Sequence, residues 1–77
     1  MIPVVRNIQN SDLYYYKGEN VFQNVRTGDE GVVDDEMAKR IFKINIEATE
    51  TLNEYPLVVE MIKKLNLKFD NNKTQKL

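Results

Sequence analysis

The chain of 77 residues contains no cysteine and no histidine. Without cysteine it forms no disulfide and offers no thiolate to a metal or a substrate. Without histidine the usual zinc, copper and haem ligands are missing, and so is the commonest general base. No apolar run approaches the roughly 20 residues a membrane-spanning helix needs. The start, Met1-Ile2-Pro3-Val4-Val5-Arg6, lacks a basic stretch followed by a long apolar one, so no signal peptide is expected and synthesis in the cytoplasm is. Paired carboxylates are the acid-base chemistry that remains, and a chain this short has little room for the enclosed pocket that would tune them. The expectation is a non-enzymatic protein with no cofactor and no metal.

One domain is the limit at this length. A domain of this size buries only about 60% of its unfolded surface and is marginally stable alone. Small proteins compensate with disulfides, a metal or a partner, and the partner is what is left here. Hydrophobic residues make up 42% and charged residues 30%, ordinary for a globular chain. The net charge of −1 is unevenly spread: residues 1–34 carry −2, residues 35–60 carry −3, and residues 61–77 carry +4. Lys63, Lys64, Lys68, Lys73 and Lys76 face only Asp70 in that last stretch. This is either a basic arm or, more simply, a helix end that favours cations followed by a solvated tail.

Residues 1–12 read as an extended N-terminal arm, because Pro3 fixes its own φ and disfavours helix at Ile2. Asn7, Asn10, Ser11 and Asp12 are turn formers that separate it from the domain at residues 13–69. Leu13-Tyr14-Tyr15-Tyr16 and residues 21–26 are rich in aromatic and β-branched side chains and read as strands. Lys17-Gly18-Glu19-Asn20 joins them as a hairpin. A short third strand can follow at Val32-Val33. Met37, Ile41, Ile44, Ala48, Leu52 and Tyr55 recur at helical spacing, which predicts one helix over residues 35–54, capped by Asp34. Pro56 ends it and opens a second helix carrying Leu57, Val58, Met61, Ile62 and Leu65 to a cap at Asn66. Residues 70–77 read as a polar, basic C-terminal tail. The expected fold class is therefore α+β: a β-hairpin, or three short strands, packed on two antiparallel helices with extended arms at both ends. No internal repeat is evident.

Four features carry candidate chemistry. Thr27-Gly28-Asp29-Glu30-Gly31 lacks the lysine ending of a phosphate loop and the carboxylate spacing of a calcium loop, so it reads as a turn. Asp29, Glu30, Asp34, Asp35 and Glu36 have the oxygens for a hard cation but read better as a solvated cluster at a helix start. Tyr14, Tyr15 and Tyr16, with Phe22 across the hairpin, could stack bases. This half of the chain is acidic, however, so the electrostatic attraction to nucleic acid is missing and protein contact or core packing is favoured. The helical stripes read as core, with Phe42 or Val59 as candidate exposed leftovers.

The stretch from Asn24-Val25-Arg26-Thr27-Gly28-Asp29 through Val32-Val33-Asp34-Asp35-Glu36-Met37 to Tyr55-Pro56-Leu57-Val58 resembles small proteins of tailed phages, the crAss-like phages of Bacteroides in particular. The resemblance spans residues 20–67, rests on an Asn/Lys/Ile/Glu/Tyr-rich composition, and holds no functional motif. It implies a virion component, an auxiliary capsid or neck or tail protein made in the host cytoplasm, whose partners are other subunits such as major capsid, portal or tail proteins. The expected activity is structural or assembly work through Tyr14, Tyr16, Phe22, Ile2, Val4, Phe69 and Leu77, with the arms adding strands to neighbours. Neither a membrane nor nucleic acid is the expected partner. Two other classes stay open: a regulatory protein binding a host protein or nucleic acid through the five C-terminal lysines, and a small hydrolase using the carboxylates at Asp34 and Asp35.

Overall fold

The structure is a computed structural model that describes residues 3–45 and 56–70. Six strands form one sheet: β1 (Val4–Asn7), β2 (Leu13–Gly18), β3 (Val21–Asn24), β4 (Glu30–Val32), β5 (Phe42–Asn45) and β6 (Lys68–Phe69). Their order is β4-β3-β2-β1-β5-β6. All neighbours are antiparallel except β5 and β6, which run parallel. Helix α1 (Asp35–Ile41) joins β4 to β5, and α2 (Pro56–Lys63) precedes β6.

This mixed sheet overturns the expected hairpin on two antiparallel helices, and two segments account for the difference. Val4–Asn7, read as a free arm, lies in the middle of the sheet, hydrogen-bonded to β2 on one side and β5 on the other. The long helix expected over residues 35–54 ends at Ile41, and Phe42 turns extended at φ −114, ψ 141. Residues 46–55 of that expected helix lie outside the described residues. Met37, Ile41 and Ile44 fit a helical stripe, but Phe42, Lys43, Ile44 and Asn45 also alternate with period two. Pairing Val5 with Ile44 and Asn7 with Phe42 buries two large side chains that a continuing helix would place on different faces. The end of α2 follows expectation: Asn66 has φ 60, and the Leu67 N–H donates back to the Met61 carbonyl at 3.0 Å.

The first four strands are one hairpin built twice, seventeen positions apart. Asn7 and Asn24 each close a loop in which the asparagine Oδ1 accepts from the N–H groups two and three residues on: Gln9 and Asn10 in the first loop, Arg26 and Thr27 in the second. Ser11 N donates to the Asn7 carbonyl and Gly28 N to the Asn24 carbonyl, each donor with positive φ. Asn7 N donates to the Asp12 carbonyl and Asn24 N to the Asp29 carbonyl, both at 2.8 Å. The Asp12 N–H is held by the Asn10 side chain and the Asp29 N–H by the Thr27 hydroxyl. The sequence identity behind this is confined to a few positions, such as Val4 with Val21, Asn7 with Asn24 and Asp12 with Asp29. Between the two hairpins Glu19 and Asn20 both take positive φ, as a two-residue turn that matches strand twist requires.

One face of the sheet carries the core. Val5, Tyr16, Phe22, Phe42 and Ile44 pack with Ala38 and Ile41 of α1, Val58 and Met61 of α2, and Leu65 and Leu67 beyond it. Phe22 in β3 and Phe42 in β5 are three strands apart, about 14 Å in a flat sheet. Their rings nevertheless stack with centroids 4.2 Å apart, so the sheet is curled around its core. The opposite face presents Val4, Arg6, Leu13, Tyr15, Val21, Lys43 and Lys68, by the pairings and the alternation along each strand.

Candidate functional site

The curl brings β3 and β4 toward the junction of α1 and β5, and a cleft of about 350 Å³ opens between them. Its floor is aromatic: Tyr14, Phe22 and Phe42, with Tyr14 edge-on to Phe42 at 5.2 Å. Glu30 and Gly31 of β4 form one lip, and Ile41 and Phe42, where α1 passes into β5, form the other. The polar rim comes from the matched loops, through Asn7, Asn24, Thr27 and Asp29. Among the described residues the Tyr14 hydroxyl and the Asp29 carboxylate have no hydrogen-bond partner.

The repeat explains why the cleft is there. The position that Tyr14 fills in the first hairpin is Gly31 in the second. A β-carbon built on Gly31 meets nothing within 4 Å, and its φ is not positive, so neither crowding nor backbone conformation demands glycine. The missing side chain leaves a hole, and the hole is the mouth of the cleft.

Beside it runs a sheet edge that is unpaired among the described residues. Phe22 and Gly31 are partners in register, flanked by bonds from Asn24 N to the Asp29 carbonyl and from Val33 N to the Asn20 carbonyl. In an antiparallel ladder the bonded pairs alternate. Glu30 and Val32 therefore aim their N–H and C=O groups away from β3, toward the edge. Val32 is 75% exposed, and the other two residues of the strand are exposed as well. In the first hairpin the equivalent edge, that of β2, is occupied by β3. Among the described residues the second hairpin has no counterpart of that strand.

Charge around this edge is mostly negative. Asp29 precedes β4, and Asp34, Asp35 and Glu36 follow it, while Glu30 is held by Lys17 at 2.8 Å. Asp34 caps α1 by accepting from Met37 N, and Asp35 accepts from the Asn20 amide. Among the described residues no three acidic side chains converge on a point suited to a metal ion. Asp12 accepts from Asn24 and Arg26, and these hydrogen bonds, Asn24 first, hold its carboxyl below the ordinary range.

The residues singled out in the sequence are dispersed. Tyr14 lines the cleft, half-buried. Tyr16 is fully enclosed; its hydroxyl donates to Glu60 at 2.9 Å and accepts from Asn20 N at 3.2 Å, which ties α2 to the turn between β2 and β3. Phe22 is 2% exposed and forms cleft floor and core together. Val4 sits on the far face between Tyr15 and Asn45. Phe69 packs against the core from β6. Ile2 and Leu77 lie outside the described residues. Phe42, expected as an exposed leftover, is buried, and Val59 is half-buried. Among the five C-terminal lysines, Lys63 closes α2, Lys64 stands in the turn after it and Lys68 belongs to the far face of the sheet, while Lys73 and Lys76 lie outside the described residues. Gly31 and Val32 were missed as site residues; the signal for them is the seventeen-residue offset, which only three identities mark in the sequence. Among the described residues no helix is long and apolar enough to cross a membrane. No family model, curated protein or solved structure matches the chain.

Proposed function

We propose that this protein is a non-catalytic structural or assembly subunit that works by protein contact, with the edge of β4 as its principal contact. The observation that carries the reading is an exposed edge strand, Val32 being 75% exposed, that contains no lysine or proline and whose outward backbone groups no loop covers among the described residues. The absence of histidine and cysteine supports a binding role over a chemical one. The likeness to tailed-phage proteins adds the setting of a virion, with capsid, portal or tail subunits as partners.

The test is a photo-crosslinking residue placed at Val32, with one at Lys39 on α1 as control, in cells that make the protein. A discrete adduct at position 32 and none at 39, identified by mass spectrometry and rebuilt from the two purified proteins, supports the reading. No adduct, or the same adducts at both positions, overturns it.

A second reading, a regulatory protein that binds nucleic acid, draws on Arg6, Lys43 and Lys68, which are neighbours across β1, β5 and β6 on the far face. Arg6 is already bonded to Asp70 at 3.0 Å, which weakens that row. Affinity for single- or double-stranded DNA that falls steeply with salt would favour this reading over the first.

A further inference from the structure

We infer that the place beside β4, which no described residue pairs with, receives an antiparallel, extended segment of a partner protein, basic at its ends and carrying an aromatic or large apolar side chain opposite Gly31. This deepens the edge-contact reading above and rests on it.

The orientation follows from the repeat. In the first hairpin β3 lies antiparallel against β2, placing Asn24 opposite Tyr14 and Gln23 opposite Tyr15. Shifted by seventeen residues, an incoming strand pairs one residue with Gly31 and the next with Val32. The ladder parity agrees. Val25 N donates to the Leu13 carbonyl, so Leu13 and Tyr15 offer their backbone groups to β3, as Glu30 and Val32 offer theirs to the open edge.

The side chain opposite Gly31 points to the core side, where the cleft is. Tyr14, Phe22 and Phe42 line the hole that the glycine leaves, and an aromatic ring from across the edge fills it as cross-strand aromatics cover edge glycines. The polar chemistry of the segment follows from charge. Asp29 stands at one end of β4 and Asp34, Asp35 and Glu36 at the other, and Lys17 is engaged with Glu30. A second copy of this chain pairing β4 against β4 would set Asp29 of each copy near Asp34 of the other, like charge against like. A lysine- or arginine-bearing segment meets opposite charge at both ends.

The probe is a blocked heptapeptide, Lys-Val-Thr-Tyr-Thr-Val-Lys, titrated into the isotopically labelled full chain and followed by NMR and amide exchange. Two controls replace both lysines by glutamate, or the tyrosine by alanine. The lysine peptide is expected to protect the Glu30 and Val32 amides, to shift Gly31, Tyr14 and Phe22, and to weaken as salt rises. Each control is expected to bind about tenfold less tightly, the effect of roughly 1.4 kcal/mol. Val32→Pro removes an outward N–H that β3 does not use, so it is expected to abolish binding with the melting temperature little changed. Asp29→Lys, whose carboxylate has no partner among the described residues, gives a second route: a several-fold loss for the lysine peptide and a gain for the glutamate peptide.

Equal binding of all three peptides, shifts confined to the face of Arg6 and Lys43, or binding that survives Val32→Pro overturns the inference. So does no binding at millimolar peptide. A dimer of the free chain that Val32→Pro dissolves overturns it in favour of a second copy as occupant. If the peptides fail while the crosslink at Val32 still yields one identified partner, the edge-contact reading stands and only the antiparallel basic strand falls; if both fail, both fall.

Discussion

Tyr16 shows how much one side chain can be asked to do in a chain this short. It fills the core, and its hydroxyl serves both Glu60 and the Asn20 N–H. Tyr16→Phe keeps the ring but strands that N–H, and a cost of about 1–3 kcal/mol is expected in urea denaturation. Burial pushes the Tyr16 phenol up to about 12, with the Glu60 carboxylate adding to the shift. The unfolded chain then gives up this proton before the folded one does. The stabilisation is whole below the ordinary value of 10 and is lost as pH climbs through about 12. Alkaline unfolding followed by circular dichroism should show this loss, and Tyr16→Phe should remove its share. Gly18 is a second such position: its φ is +96, and a β-carbon there would stand 3.1 Å from Leu57 Cδ2. Gly18→Ala should lower stability by about 1–2 kcal/mol from the backbone alone, whereas Gly31→Ala, with open space and ordinary φ, should be nearly neutral.

Among the elements, α1 is the weakest on its own terms. Seven residues are too few for a helix to persist in water without packing. It holds because Ala38 and Ile41 are buried, Asp34 caps it, and Asp35 and Glu36 suit its first turn. Asp34→Ala should cost about 1 kcal/mol through the lost cap, read as a shift in the denaturation midpoint. A larger loss, with α1 amides unprotected in hydrogen exchange, would mean that the cap rather than the core holds the element. Strands β2 and β4 hold corresponding places in the two hairpins yet differ in exposure, because among the described residues β2 has neighbours on both sides and β4 on one. That difference makes β4 the contact element in the readings above.

For the whole molecule, both helices and five of the strands contribute to one continuous core. Unfolding should therefore be a single cooperative transition, with the far-ultraviolet and tyrosine signals superimposed. Separate transitions would divide the doubled hairpin from the part built by β5, α2 and β6. The pairing of β1 with β5 joins residues almost forty positions apart. Such non-local pairing places folding in the range of milliseconds to seconds.

The hairpin from Leu13 to Asn24, the cap at Asp34, the start of α2 at Pro56 and the left-handed turn at Asn66 that follows the helix were all legible in the chain, because each rests on neighbouring residues: turn chemistry, capping and short periodicity. So was the absence of cysteine and histidine. The place of β1 was not. Val4–Asn7 looks like an arm until two partners, one nearly forty residues away, satisfy both of its edges. Nor was the switch at Phe42, where helical and strand periods fit the same apolar residues and burial against Val5 and Asn7 decided between them. The candidate site divides the same way. Tyr14 and the acidic residues around β4 could be singled out by type. The cleft needed the curl that brings β4 toward the junction of α1 and β5, and the free edge needed the absence of a further strand beside β4 among the described residues. Local preference acts through near neighbours and is written in the chain; which edge stays open depends on how all six strands are satisfied together.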